Sequence, residues 1–234
     1  MNDFLDGIKK SIPIFLGYFA VSFTFGIYCN NMGITPIVSF VMSLTELSSA
    51  GEFGGVELIN KNALYAEIAA VVLIINLRYV LMSISLATHL DKDTKLYQKL
   101  VFGFGITDEI YALAIKEKKA ITAKFMFGMM ILPIVGWSVG TLLGTLSSKI
   151  IPTSVSTCFN LALYVMFICV IFPDAKESYK VLICIGVSAL ISCILYYIPF
   201  LNEHIRLGFK LIIATISACT LMAVLFPQEK KEEA

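Results

Sequence analysis

Apolar residues in this chain run in long stretches, and the polar residues gather between the stretches instead of alternating with them. Helices surrounded by lipid have this pattern, since about 20 consecutive apolar residues rising 1.5 Å each cross the hydrocarbon core of a bilayer. It predicts ordinary transmembrane helices at about 12–29, 63–87, 125–147, 152–173, 180–200 and 207–226. Two stretches depart from it. Residues 36–60 begin apolar and pass into Thr45-Glu46-Leu47-Ser48-Ser49-Ala50-Gly51-Glu52-Phe53-Gly54-Gly55, too polar and too glycine-rich for a helix facing lipid. Residues 100–115 are a short apolar run interrupted by Gly103 and Gly105 and then by Asp108 and Glu109. The expected fold class is therefore an all-α integral membrane protein with about six full transmembrane helices plus two broken or re-entrant segments; eight full spans are the alternative. The likeness of the two broken segments to each other points weakly to an inverted repeat, since paired broken helices mark such transporters.

Composition agrees. Of 234 residues, 58% are hydrophobic and 15% charged, whereas a soluble domain carries roughly a quarter charged residues. The expectation is one polytopic membrane domain over 1–227, with a charged tail at 228–234. The first helix begins like a signal peptide, but runs past signal length without a clear cleavage site and is expected to be retained. The net charge of +1, with no dense basic stripe, argues against a nucleic-acid partner. Six cysteines lie mostly in apolar runs without metal spacing, so no metal or cofactor is expected. With the N-terminus cytoplasmic, eight spans put six basic residues outside against eleven inside; re-entry of both broken segments makes it four against thirteen. Either count leaves both termini in the cytoplasm and slightly favours re-entry.

Polar residues at membrane depth are the candidate chemistry. Arg78, near the middle of a predicted helix, costs about 2.5–3.5 kcal/mol on insertion scales, so it faces protein or water. Two roles fit it equally: holding a substrate carboxylate through a bidentate pair, or a structural ion pair with Glu52, Asp108 or Glu109. Asn76 lies about 200° around an ideal helix from Arg78 and shares a face with Tyr79 and Ser83. Asp108 and Glu109 fit proton-coupling groups, or, with Thr107, the cap of a helix running on through Leu113. Residues 45–55 offer exposed backbone groups and two acids, which suits a mid-membrane binding segment as well as a plain surface loop. Gly128, Gly136, Gly140 and Gly144 form a small-residue stripe expected to pack helices. His89 and His204 lie beside predicted helix ends, and neither they nor Trp137 carries a functional signal.

Four stretches, GYFAVSFTFG at 17–26, SSAGEF at 48–53, NLRYVLMSISLA at 76–87 and TDEIYAL at 107–113, resemble the AzlC-type branched-chain amino acid permeases, the large subunits of two-component exporters. The resemblance implies a bacterial plasma-membrane transporter, not an enzyme. It also implies export of valine, leucine or isoleucine, driven by protons, with a small hydrophobic partner of the AzlD type. Three positions depart from the family pattern: Ala20 and Ser22 stand where proline and glycine are usual, and Glu52 where glutamine is usual. In the expected mechanism Arg78 or a helix N-terminus receives the carboxylate, Glu52 or Asp108 meets the ammonium, and apolar residues around Phe53 and Tyr18 accept the side chain. Asn76 completes the expected substrate set, and Glu52, Asp108 and Glu109 the coupling set. An ion channel and a non-transporting assembly subunit are the competing functions.

Overall fold

The computed structural model of the chain describes residues 2–117, 120–148, 178–205 and 207–226, with the isolated positions 168, 172, 175 and 176. The span expected at 152–173 falls outside the described residues apart from 168 and 172, as does the tail at 228–234. The described chain is helical: α1 (Asn2–Asn31), α2 (Pro36–Glu46), α3 (Ser49–Asn60), α4 (Tyr65–His89), α5 (Leu96–Gly105), α6 (Asp108–Ala114), α7 (Ala123–Ser147), α8 (Tyr179–Tyr197), α9 (Pro199–His204) and α10 (Leu207–Leu225). Among the described residues no strand forms, and extended pairing is limited to a bridge between Leu90 and Ile121. Five of these helices, α1, α4, α7, α8 and α10, are long and apolar enough to cross a membrane. Both expected breaks are present. With 11 and 12 residues, α2 and α3 each reach only about half the ~30 Å hydrocarbon core, and α5 and α6, with 10 and 7, reach less.

Two expected boundaries move. The first helix starts ten residues before the predicted 12, because its polar N-terminal turns dock on α7: Thr122 donates to Asp3 Oδ2 at 2.9 Å, and Lys10 pairs with Glu117. It ends in a Schellman turn, where Gly33 at φ 78° lets its own N–H reach Asn30 O and the Ile34 N–H reach Cys29 O. The run at 180–200 is cut at Ile198, where Pro199 cannot continue α8 and instead opens α9.

The residues group into two compact units, Met1–Glu57 with Ile75–Leu163, and Leu58–Ile74 with Tyr164–Ala234. In the second, α8 packs on α10, and the buried Glu67 carboxylate accepts from the Gly208 N–H at 3.0 Å at the start of α10. In the first, α7 lies along α1, and the glycine stripe makes the contact. A Cβ on Gly144 would stand 2.0 Å from Phe23 O, and one on Gly128 would stand 2.1 Å from Phe4 O. Gly7 and Gly26 of α1 answer them, equally close to Phe125 O and Thr141 O. Without a hydrophobic force between helices in lipid, such close backbone packing carries the association. Gly144→Ala, which meets backbone that cannot swing aside, is expected to destabilise the protein by about 1–3 kcal/mol in thermal unfolding in detergent. Gly17→Ala, with open space around it, is expected to be neutral or slightly stabilising. Behind α7 a cluster including Leu86, Phe102, Ile106, Ile110, Met126 and Met129 fixes α5 and α6 to α7 and the end of α4.

Candidate functional site

The first break is made by Leu47, a non-glycine residue in the left-handed region at φ 53°, ψ 10°. Such a conformation is uncommon without glycine and is held here by burial of its side chain. Ser48 then starts α3: its Oγ accepts from the Gly51 N–H at 3.3 Å and its carbonyl from the Glu52 N–H at 2.8 Å. The break leaves Glu46 as the last residue of α2 and puts Glu52 one turn into α3. Glu52 is 1% exposed and engaged at both oxygens, since Trp137 Nε1 donates to Oε1 at 2.8 Å and Ser43 Oγ to Oε2 at 3.0 Å. With the Ser43 hydrogen spent on the carboxylate, Thr141 donates to Ser43 at 2.7 Å. One turn further, Ser39 and Thr145 make a second buried rung at 2.9 Å. Glu46 Oε1 accepts from Asn76 Nδ2 at 2.7 Å.

The second break comes after Gly105, with Ile106 and Thr107 extended and Thr107 Oγ1 accepting from the Ile110 N–H at 3.4 Å. Thr107 is therefore the cap, and Asp108 reaches Arg78, whose Nη1 lies 2.9 Å from Asp108 Oδ2. Of the three acids that sequence offered Arg78, the structure pairs it with Asp108. Its Nη2 donates to the Tyr79 hydroxyl at 3.0 Å, and the guanidinium carbon lies 4.8 Å from the Tyr79 ring centre. Arg78 Nε and Asn76 Oδ1 are both buried without a hydrogen-bond partner. These two orphans have opposite sense, one donor and one acceptor.

The two breaks are joined through aromatic residues. The Tyr18 hydroxyl bonds Thr107 at 2.6 Å and also Glu109, while its ring meets Trp137 edge-on at 5.4 Å. Trp137 thus touches Glu52 beyond the first break and Tyr18 at the second. Tyr18, expected to line a side-chain pocket, spends its polar end on this link. Phe53 is 6% exposed and packs against Phe25 and Tyr28. Sequence reasoning counted Glu46 among the acids of the 45–55 segment without giving it a role of its own, and missed Ser43, Thr141 and Trp137. Two signals were available: Glu46 immediately precedes the break, and Trp137 is the single tryptophan. Among the described residues, no group of His, Cys, Asp and Glu could hold a metal ion.

The sequence model of the AzlC protein family matches residues 13–151, which include every residue of this network. The chain belongs to the AzlC family. It is 28% identical over 175 residues to an uncharacterized membrane protein of Archaeoglobus fulgidus, covering 74% of this chain and 76% of the relative. It is 26% identical to the inner membrane protein YgaZ of Escherichia coli K12 over 62% of this chain and 61% of the relative. An uncharacterized membrane protein of Helicobacter pylori J99 is 31% identical, covering 62% of this chain and 66% of the relative. No solved structure matches. AzlC membership and the five long apolar helices make this a multi-pass membrane protein with a transport-related role.

Proposed function

We propose that the chain is the large subunit of a secondary transporter that exports branched-chain or other hydrophobic amino acids across the bacterial plasma membrane. Its drive is the proton gradient, its termini are cytoplasmic, and it acts with a small hydrophobic subunit of the AzlD type. The observation that supports this best is Arg78: a guanidinium near the middle of α4, held against the second helix break by Asp108, with Nε still free to donate. A structural ion pair alone leaves that buried donor unexplained, whereas a substrate carboxylate satisfies it. Four carboxyl groups, Glu46, Glu52, Asp108 and Glu109, accompany the one guanidinium, an excess suited to coupling with protons. Paired broken helices are where transporters of this general design bind solute and coupling ion.

Proteoliposomes holding this chain and a candidate small subunit are expected to accumulate labelled leucine and valine only when a pH gradient is imposed. The chain reconstituted alone is expected to show little activity. Absence of uptake under every gradient would reject the assignment, and full activity of the chain alone would reject the two-subunit requirement.

A further inference from the structure

We propose that Glu46 and Asn76 form the subsite for the primary ammonium group of the transported amino acid; this rests on the amino acid assignment above and names a carboxylate that sequence reasoning had not singled out. Expectation had placed the ammonium on Glu52 or Asp108. Those carboxylates already hold strong donors: Trp137 and Ser43 occupy both oxygens of Glu52, and the Arg78 guanidinium takes Asp108. Glu109 holds the Tyr18 hydroxyl. Glu46 is different. It is half-buried and bonded to the Asn76 amide through Oε1 alone, at 2.7 Å, so Oε2 remains available. Asn76 in turn keeps a buried carbonyl oxygen with no donor. With Nδ2 committed to the carboxylate, the amide orientation is fixed and Oδ1 can only accept.

A primary ammonium group supplies what both lack. It brings one N–H for Glu46 Oε2, one for Asn76 Oδ1, and a positive charge at the C-terminal end of α2, where the helix dipole favours a cation. The position is built into the backbone. A Cβ on Gly51 would stand 2.1 Å from Glu46 Oε1, so the carboxylate rests in space that only glycine leaves there. The atom in the way is the tip of a flexible side chain, so Gly51→Ala displaces the carboxylate without changing any charge.

The test compares leucine with 4-methylpentanoate, which is leucine with hydrogen in place of the ammonium group. Binding to the full chain assembled with the candidate small subunit in lipid nanodiscs is followed by calorimetry. The wild type is expected to prefer leucine by at least about tenfold, the order expected of one charge-assisted hydrogen bond. Glu46→Gln and Gly51→Ala should each cut that preference to within about threefold, with the affinity for 4-methylpentanoate unchanged. An undiminished preference in both variants overturns the subsite and leaves the amino acid assignment standing. A wild type that binds neither compound overturns both. Leucine binding that needs sodium in the wild type and loses that need in Glu46→Gln identifies the occupant of Glu46 as a metal cation and overturns the subsite.

Discussion

Arg78→Ala is expected to reduce transport to background while the protein inserts and purifies at wild-type levels. The substitution strips Asp108 of its cation and the Tyr79 hydroxyl of a donor. Removing one partner of a fully buried pair costs about 3–5 kcal/mol, and exposed pairs contribute about 0–1 kcal/mol. The Arg78 and Asp108 side chains are 38% and 33% exposed, so solvent screening puts this pair toward the lower figure. A loss of that size leaves a protein of ordinary stability folded. Under the proposed function the solute, by contrast, loses the guanidinium that would hold its carboxylate. Arg78→Lys keeps the charge and removes both the planar fork and Nε, so an intermediate loss, on the order of 10- to 100-fold, is expected. Initial rates of labelled leucine uptake, read beside size-exclusion profiles, separate the two roles of Arg78. A collapse of folded protein in Arg78→Ala would make the residue structural.

Glu52 is expected to split by substitution. Glu52→Ala leaves the Trp137 N–H and the Ser43 hydroxyl buried without their acceptor, each about 1–3 kcal/mol. It also opens a cavity beside Phe53, so a loss of about 3 kcal/mol or more is expected. Glu52→Gln keeps the shape: its carbonyl accepts from Trp137, and its amide donates to Ser43, whose hydrogen turns toward Thr141. Stability should stay close to wild type, as followed by Trp137 emission during thermal unfolding. Transport is expected to persist with a shifted pH profile, because one titratable group has gone. An identical profile would remove Glu52 from coupling and leave it a structural acceptor between α2, α3 and α7.

Much of the fold could be read from the chain alone. The apolar runs gave α1, α4, α7, α8 and α10 because a helix in lipid must satisfy its backbone internally and clothe itself in apolar side chains. Both breaks were legible from Gly51, Gly54 and Gly55 beside Glu46 and Glu52, and from Gly103 and Gly105 ahead of Asp108, since lipid does not tolerate such residues on an exposed helix. The first turns of α1 were missed because Asp3, Lys9 and Lys10 are polar by any hydropathy measure. They are helical since Gly7 and Gly128 let α1 and α7 touch. The cut at Ile198 was missed because apolar residues continue across it; only Pro199 marks it.

The sequence by itself determined that this chain lives in a membrane, roughly where five of its long helices run, where two segments break, and that Arg78 had to find a partner. Each of these follows from solvation: a lipid surround penalises every polar group, so exceptions stand out in one dimension. Pairing was decided only by the tertiary structure. That Arg78 meets Asp108, that Trp137 ties Glu52 to Tyr18, and that Glu46 rather than Glu52 keeps an open oxygen depend on residues 30 to 119 positions apart. Hydropathy counts the cost of a buried polar group, but a hydrogen bond works over about 3 Å, and only packing of the breaks around α4 and α7 brings its partners within that range.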